Sequence, residues 1–188
     1  MKENIPIPDS NLTWSLKNKI LTISGTGAMP DYARYGAPWN WSRRLIETVI
    51  IKEGVATIGG SAFSNCRGLT SIHIPNSVTT IGEQAFIGCS NLTSIHIPNS
   101  VTEIGYRTFD NCRILMSITI RAIMPPSLHR CAFAFKLNYP AILLKVPHQS
   151  VEAYRTVKGW SRFKRIVGSD DYKEEAPLSD EDLAYNAY

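Results

Sequence analysis

One ten-residue phrase occurs twice in this chain, and the two copies lie 23 residues apart. Residues 69–78 read Leu-Thr-Ser-Ile-His-Ile-Pro-Asn-Ser-Val, and residues 92–101 repeat them without change. Other residue types recur at the same offset: Phe63, Phe86 and Phe109; Cys66, Cys89 and Cys112; Gly59, Gly82 and Gly105; Leu69, Leu92 and Leu115. Because a fixed period of this length is typical of repeat proteins, the chain is expected to stack similar coils on one another.

Each repeat has the pattern of a short strand followed by a turn. Residues 72–74 read Ile-His-Ile and alternate apolar and polar side chains, as in a strand with one buried face. Pro75 is expected to end the strand, with a turn at residues 76–77, and residues 78–81 are expected to be extended again. No unit can bury its own apolar side chains. The pattern therefore predicts a mostly β, right-handed solenoid of stacked parallel strands.

Certain positions of the repeat constrain the backbone. The residue before each repeat cysteine is Asn65, Gly88 or Asn111, and these types tolerate a left-handed conformation, so positive φ is predicted at all three. Small residues precede the repeat phenylalanines and would let coils approach closely; they are Ala62, Ala85 and Thr108. The side chains expected to be buried between coils are Ile72, Ile74, Val78, Ile81, Phe86, Cys89 and Leu92.

Residues 1–45 are interpreted as an N-terminal cap made of a hairpin and a loop. Residues 14–16 and 20–23 flank the turn-prone Lys-Asn-Lys sequence and predict a β-hairpin. The second hairpin strand is expected to precede the strand at residues 49–51 in the solenoid.

The segment 24–44 is rich in glycine and proline and predicts a loop with aromatic anchors. Trp39 and Trp41 admit two interpretations. They close the end of the core, or together with Asn40 they stack on a sugar.

The repeats are assigned to residues 46–147 and become irregular toward their end, where residues 144–147 still resemble Ile-His-Ile-Pro. Residues 148–168 predict a helical C-terminal cap, with Ser150 as the N-cap of a helix. The side chains expected to cover the last coil are Tyr154, Trp160, Phe163 and Ile166.

Charge is unevenly distributed. The formal charge is +4, but residues 169–188 hold seven acidic residues and one basic residue, which leaves 19 basic and 9 acidic residues before them. This acidic tail has few core-forming residues and is interpreted as a segment that is at least partly disordered. A basic patch in the C-terminal cap either attracts an anionic polymer or is a solvated surface; its residues are Arg155, Lys158, Arg162, Lys164 and Arg165.

No stretch of the chain approaches the roughly 18 apolar residues that would cross a bilayer. The first residues lack the apolar region of a signal peptide. An export signal is therefore expected to be absent or already removed.

The pattern Leu-x-x-Ile-x-Ile-Pro-x-Ser-Val-x-x-Ile-Gly-x-x-Ala-Phe-x-x-Cys is complete at residues 69–89 and nearly complete at 92–112. It resembles the BspA-like class of leucine-rich repeats. Residues 21–32 resemble the segment that often precedes such repeats, and residues 146–163 resemble their C-terminal module. The resemblance implies a leucine-rich-repeat solenoid in a bacterial secreted or cell-surface protein. It also implies recognition of other macromolecules, with adhesion to host matrix proteins, and no catalysis. No cofactor is expected.

The outer face of the repeat strands is the predicted partner-binding surface. Its candidate residues are Ser71, His73, Asn76, Ser94, His96, Asn99, Thr119 and Arg121. This face is either a solvated polar surface or a ligand surface, because solenoid faces bind extended partners. A catalytic histidine pair is disfavoured because no recognisable nucleophile motif accompanies His73 and His96.

The repeat cysteines admit a metal site or a packing role. Zinc ligands usually come in pairs a few residues apart, whereas these cysteines are 23 residues apart and on the buried side, so packing is favoured. Side chains that run parallel in a column do not converge into a disulfide. Cys131, which is outside the register, is therefore the expected partner of any bridge.

Three functional hypotheses follow from the sequence. The first is a binding module whose strands and loops recognise a protein or glycan. The second is a structural spacer within a larger surface assembly, in which the repeats only hold shape. The third is binding of an anionic polymer through the basic patch, without specificity for a nucleic acid.

Overall fold

The computed structural model describes residues 2–129, 131–133 and 141–169, and it shows a parallel-strand solenoid of about five coils. The predicted solenoid, with a hairpin at one end and a helical cap at the other, is confirmed. The coils are numbered by their residues: coil 1, 20–47; coil 2, 48–70; coil 3, 71–93; coil 4, 94–116; and coil 5, of which 117–129, 131–133 and 141–142 are described.

The first strand of each coil belongs to the main ladder. The strands on this side are β1 (Lys2–Pro6), β2 (Leu12–Lys17), β3 (Ile20–Gly25), β5 (Thr48–Ile51), β7 (Ser71–His73), β9 (Ser94–Ile97), β11 (Ser117–Ile120), β13 (Leu143–Val146) and β14 (Arg165–Gly168). They form two sheets, β1-β2-β3-β5-β7 and β9-β11-β13-β14, and β7 packs against β9. The hairpin strands β1, β2 and β3 are antiparallel, and the pairs from β3 onward are parallel. As predicted, β3 pairs with β5, with Leu21 opposite Val49.

A second ladder runs alongside the first. It contains β4 (Gly27–Ala28), β6 (Val55–Ile58), β8 (Thr80–Ile81), β10 (Glu103–Ile104) and β12 (Ser127–Leu128), all paired in parallel. The second extended segment of the repeat is therefore confirmed. The rest of each coil, which leads back to the main ladder, is the return arm; in coils 2, 3 and 4 it comprises residues 59–70, 82–93 and 105–116. Because each coil supplies one strand to each ladder, its apolar side chains are buried between the ladders and the return arm.

A column of aromatic rings runs through the core along the return arms. The rings of Phe63, Phe86 and Phe109 are nearly parallel, with centroids 5.5 Å and 5.7 Å apart. Phe133 continues the column at 5.0 Å from Phe109. Trp39 occupies the corresponding place in coil 1, 5.7 Å from Phe63. Stacked rings at this spacing contribute about 0.5–1.5 kcal/mol per pair beyond burial of their area.

Both ends of the aromatic column are closed by side chains whose polar atoms are satisfied. At the N-terminal end, the indole Nε1–H of Trp39 donates to the carbonyl oxygen of Ala62 at 2.8 Å. At the other end, Nε1–H of Trp160 donates to the carbonyl oxygen of Pro126 at 2.9 Å. Tyr154 adds a hydroxyl hydrogen bond to the carbonyl oxygen of Ala122 at 2.9 Å. The predicted covering of the last coil is confirmed, since Tyr154, Trp160, Phe163 and Ile166 are all buried.

The column of Gly59, Gly82 and Gly105 lets the coils touch backbone to backbone. A Cβ atom on Gly82 would lie 2.7 Å from the backbone nitrogen of Gly60, and one on Gly105 would lie 2.7 Å from that of Glu83. A side chain at either position would overlap the preceding coil, so the repeat requires glycine there.

The return arm contains two positions with left-handed backbone in coils 2, 3 and 4. The predicted positive φ is confirmed, at 58° for Asn65, 73° for Gly88 and 61° for Asn111. A second set was not predicted, because its side chains are not typical of this conformation. Its members are Ser61, Gln84 and Arg107, with φ of 56°, 55° and 52°.

The C-terminal cap differs from its prediction in two respects. A 3-10 helix, His148–Ser150, precedes α1 (Val151–Thr156), and another, Trp160–Arg162, follows it. The prediction of Ser150 as a side-chain cap is wrong, because the preceding turn gives it φ −100° and ψ −8°, and its side chain makes no capping hydrogen bond. An N-cap residue usually adopts an extended backbone. The cap also ends in β14, a further parallel strand that was not predicted; the acidic tail after Ser169 lies outside the described residues.

Candidate functional site

Six of the eight predicted partner-binding residues occupy equivalent positions of coils 3 and 4 on the strand face, which is the outer face of the main-ladder strands and of the turns after them. In β9 and β11, Ser94 lies opposite Ser117 and His96 lies opposite Thr119. Ser71 and His73 occupy the same positions in β7, which packs against β9. Asn76 and Asn99 are exposed in the turns that follow these strands. The result is a polar surface with equivalent side chains on successive coils.

The remaining two residues extend this surface at its edge. Thr119 is half-buried and has Lys145 of β13 opposite it on its other side. Arg121 directly follows β11, and its backbone N–H donates to the carbonyl oxygen of Ile97 at 3.0 Å. Hydroxyl, imidazole, amide and cationic groups are thus presented together, a mixture suited to hydrogen bonding with a partner.

The repeat cysteines form a column of buried thiols. Sγ of Cys89 donates to the carbonyl oxygen of Phe63, and Sγ of Cys112 donates to that of Phe86, each at 3.2 Å. Burial raises the pKa of Cys66 and of Cys112 to about 12, and it raises the pKa of Cys89 as well. All four cysteines are free thiols, so Cys131 forms no bridge. Within the described residues, no group of three or more His, Cys, Asp or Glu side chains is arranged to hold a metal ion.

The basic patch lies on the C-terminal cap, and all five of its side chains are exposed. Arg155 forms an ion pair with Glu152 at 2.6 Å, which compensates part of the charge. Nη1 of Arg165 donates to the carbonyl oxygen of Ala141 at 3.3 Å. All five cationic groups are thus accessible to solvent, and the charge of Arg155 is partly compensated by Glu152.

The two tryptophans of the N-terminal loop have different environments. Trp39 is buried at the end of the aromatic column, whereas the side chain of Trp41 is 91% exposed. Near them, the guanidinium carbons of Arg34 and Arg43 each lie 5.0 Å from the centroid of the Tyr35 ring. Trp39 therefore closes the end of the core, as one of the two interpretations predicted, and Trp41 does not.

Sequence reasoning missed a groove on the return arms of coils 2 to 4. It has a volume of about 430 Å³, and four of its lining residues are arginines: Arg34, Arg67, Arg107 and Arg113. Arg67 and Arg113 occupy the same repeat position two coils apart, which the 23-residue period could have revealed. Arg34 comes from the irregular loop, and its approach to the other three could not be read from the repeat.

A second groove, of about 670 Å³, lies along the second ladder. Its lining includes Gly59, Gly82 and Gly105, and the acidic residues Asp31, Glu83 and Glu103 also face it. Asp31 is used structurally, because its Oδ1 accepts a hydrogen bond from the backbone N–H of Gly60 at 2.5 Å.

The architecture defines a leucine-rich-repeat solenoid. The family model described as the BspA type leucine rich repeat region matches residues 41–140 with six copies. This match covers more than half of the chain, and the chain belongs to that family.

The solved structures that resemble this chain include two that cover 76% of it. A leucine-rich repeat protein from Eubacterium ventriosum is 25% identical with a TM-score of 0.56, over 76% of this chain and 44% of that protein. The pneumococcal vaccine antigen PcpA has the same fold, at 18% identity and a TM-score of 0.52, over 76% of this chain and 41% of that protein. The chain thus spans less than half the length of either structure. No curated protein is significantly similar to it. None of the helices in the described residues has the length and apolar character needed to span a membrane.

Proposed function

We propose that this chain is a non-catalytic binding module of a secreted or cell-surface bacterial protein, and that it binds an extended protein or a matrix glycan across the strand face. The observation that carries the proposal is the register of the strand face, in which His96 lies opposite Thr119 and Ser94 opposite Ser117. Membership of a family of bacterial surface repeat proteins supports the setting.

The geometry of the strand face favours an extended ligand. Parallel strands place equivalent side chains about 4.8 Å apart along the solenoid. A partner that lies along the axis would meet two polar side chains on each coil in turn. One is a serine, and the other is a histidine or, in β11, Thr119. Many weak polar contacts of this kind add up over the length of a solenoid surface.

The burial of the repeat cysteines favours binding over catalysis as the function. The most nucleophilic side chains of the repeat, the thiols of Cys66, Cys89 and Cys112, are buried in the core and kept protonated by burial. A protonated, buried thiol is a poor nucleophile. The residues that remain accessible on the strand face are suited to hydrogen bonding.

The test is a binding measurement with the 188-residue chain against purified matrix proteins and matrix glycans. The double variant His73→Ala/His96→Ala is expected to weaken binding at least about tenfold, equal to a loss of about 1.4 kcal/mol. His148→Ala, an exposed histidine on the C-terminal cap, is the matched control and is expected to leave affinity unchanged. If the double variant binds as tightly as the native chain, the strand face is not the binding surface. If no component binds, the spacer hypothesis is favoured.

A further inference from the structure

The arginine groove owes its shape to small residues in the middle coil. At one repeat position coil 3 has Gly88 between the Asn65 and Asn111 of its neighbours, and Oδ1 of Asn65 lies only 2.6 Å from where a Cβ on Gly88 would be. Two positions later, coil 3 has Ser90 where coils 2 and 4 have arginine. Gly88 and Ser90 are smaller than their equivalents in the neighbouring coils, so the surface of coil 3 is lower at these two positions.

Two arginines flank the groove, one on each of the coils that adjoin coil 3. Arg67 and Arg113 lie two coils apart, which at strand spacing is about 10 Å. Both side chains are exposed and line the groove from opposite sides. A guanidinium group binds a carboxylate or sulfate through two parallel hydrogen bonds, so two guanidinium groups that line one groove favour an anionic ligand there.

The remaining charge is also fixed in position. Arg107 forms an ion pair with Asp110, whose carboxylate is buried, through both Nε and Nη2. This pair holds the Arg107 side chain in place at the groove while neutralising it. Arg34 completes the lining and lies 5.0 Å from the centroid of the Tyr35 ring. The groove therefore has an excess of positive charge.

The other lining groups match hydroxyl-rich ligands. Amide side chains of Asn65, Gln84 and Asn111 can each donate and accept hydrogen bonds, and Ser64 and Ser90 add hydroxyl groups. Ile87 is the only aliphatic side chain among the described lining residues. An acidic peptide would gain little from such a surface for its apolar side chains, whereas a sugar presents hydroxyl groups on all sides. The groove volume of about 430 Å³ is within the range of small-ligand sites.

We propose that this groove is a second binding site, separate from the strand face, and that it binds an anionic saccharide bearing sulfate or carboxylate groups. Arg67 and Arg113 bind the anionic group, and the amides of Asn65, Gln84 and Asn111 bind the sugar hydroxyls. The site goes beyond the proposed function, because it lies on the return arms and does not depend on a partner at the strand face.

The test uses the 188-residue chain and three probes in calorimetric titrations: a heparin tetrasaccharide, a galacturonate tetrasaccharide and a neutral maltotetraose. Binding of at least one anionic probe and no binding of the neutral one is expected. Comparison of the heparin and galacturonate tetrasaccharides shows whether sulfate groups are required or carboxylates are sufficient. Arg67→Gln/Arg113→Gln is expected to weaken binding at least tenfold. Arg67→Lys/Arg113→Lys, which keeps the charge but loses the paired hydrogen bonds, is expected to restore only part of the affinity.

Two controls separate the groove from general attraction by positive charge. Arg162→Gln/Lys164→Gln removes the same charge from the basic patch and is expected to leave tetrasaccharide binding within twofold of the native value. Ser90→Tyr changes no charge but places a large side chain in the groove at coil 3, and it is expected to abolish binding. The proposal is overturned if neither anionic probe binds, if the basic-patch variant weakens binding as much as the groove variant, or if Ser90→Tyr binds normally. Tighter binding of a poly-glutamate peptide than of either saccharide would also overturn it, in favour of an acidic protein ligand.

Discussion

The thiol of Cys89 in coil 3 donates a hydrogen bond to the carbonyl oxygen of Phe63 in coil 2, with a sulfur–oxygen distance of 3.2 Å. Cys112 and Phe86 make the same contact one coil further along. The cysteine column therefore joins neighbouring coils through neutral thiols, and its contribution to stability depends on pH.

The buried thiols are expected to make the fold less stable in alkali. Burial holds the pKa of Cys66 and Cys112 at about 12, whereas a thiol in the unfolded chain has a pKa of about 8.5. Above that pH the unfolded state releases protons that the folded state keeps, so the free energy of unfolding falls from about pH 9 toward pH 12. Each such thiol is expected to cost about 2 kcal/mol at pH 10.

Urea unfolding of the native chain and of Cys112→Ala, at pH 7.5 and pH 10, measures this effect. Tyrosines and lysines also titrate in this range, and they contribute equally to both proteins. The variant is expected to lose about 2 kcal/mol less than the native chain between the two pH values. An equal loss in both proteins would show that Cys112 does not titrate as its burial indicates.

The glycine column predicts a steep cost for a single added methyl group. In Gly82→Ala the new Cβ would lie 2.7 Å from the backbone nitrogen of Gly60, and backbone atoms of adjoining coils cannot easily move apart. Unfolding is expected to become easier by about 1–3 kcal/mol, as for other overpacked sites.

Gly60→Ala is the matched control for Gly82→Ala. Its Cβ would lie 3.1 Å from Oδ1 of Asp31 and 3.3 Å from the carbonyl oxygen of Glu83, both longer than the 2.7 Å approach at Gly82. The control is expected to be less destabilised, as measured by the urea midpoint. A cost for Gly60→Ala as large as that for Gly82→Ala would contradict the backbone-overlap argument.

The aromatic column predicts a large loss of stability when its central ring, Phe86, is removed. Phe86 stacks on Phe63 at 5.5 Å and on Phe109 at 5.7 Å, so Phe86→Ala removes two stacked pairs and leaves a cavity between coils. A loss of about 3–5 kcal/mol in unfolding free energy is expected. Met116→Ala, at a side chain that is 64% exposed, is expected to change it by less than about 0.5 kcal/mol. Similar midpoints for the two variants would rule out a structural role for the column.

The left-handed residue at Gln84 predicts a reversal of the usual order of alanine and glycine. With φ at 55°, a residue with a Cβ is held in a conformation that costs about 1 kcal/mol, and glycine avoids this cost. Gln84→Gly is therefore expected to be more stable than Gln84→Ala by about 1 kcal/mol. Thr79 is exposed and does not have a positive φ, so Thr79→Ala is expected to be more stable than Thr79→Gly. Thermal unfolding of the four variants tests the prediction, which fails if alanine is the more stable at both positions.

The features predicted well from the sequence are those that repeat. Burial of Phe86 and Cys89 and the left-handed backbone at Asn65 and Asn111 follow from residue types that recur every 23 positions. The left-handed backbone at Gln84 was missed because neither its side chain nor those of its equivalents favour that conformation. There the stacking of neighbouring coils outweighs local preference.

The ends of the solenoid and the grooves were harder to predict. Ser150 has a residue type suited to a helix N-cap, but the turn before it determines its backbone conformation. β14 is a short strand whose pairing with β13 is set by the cap that precedes it. The arginine groove also includes Arg34 from an irregular loop, and no spacing in the sequence places that loop beside the return arms.

Arg67 and Arg113 lie on coils whose cores are built from the same residue types, so the width of the groove depends on the number of repeats between them. Duplication of the 23-residue unit between them would preserve the stack of rings and thiols and would separate the two arginines by about another 4.8 Å. Deletion of that unit would bring them onto adjacent coils. Unequal recombination within the repeated DNA can thus alter the spacing of surface charges in fixed steps while the interior stays unchanged.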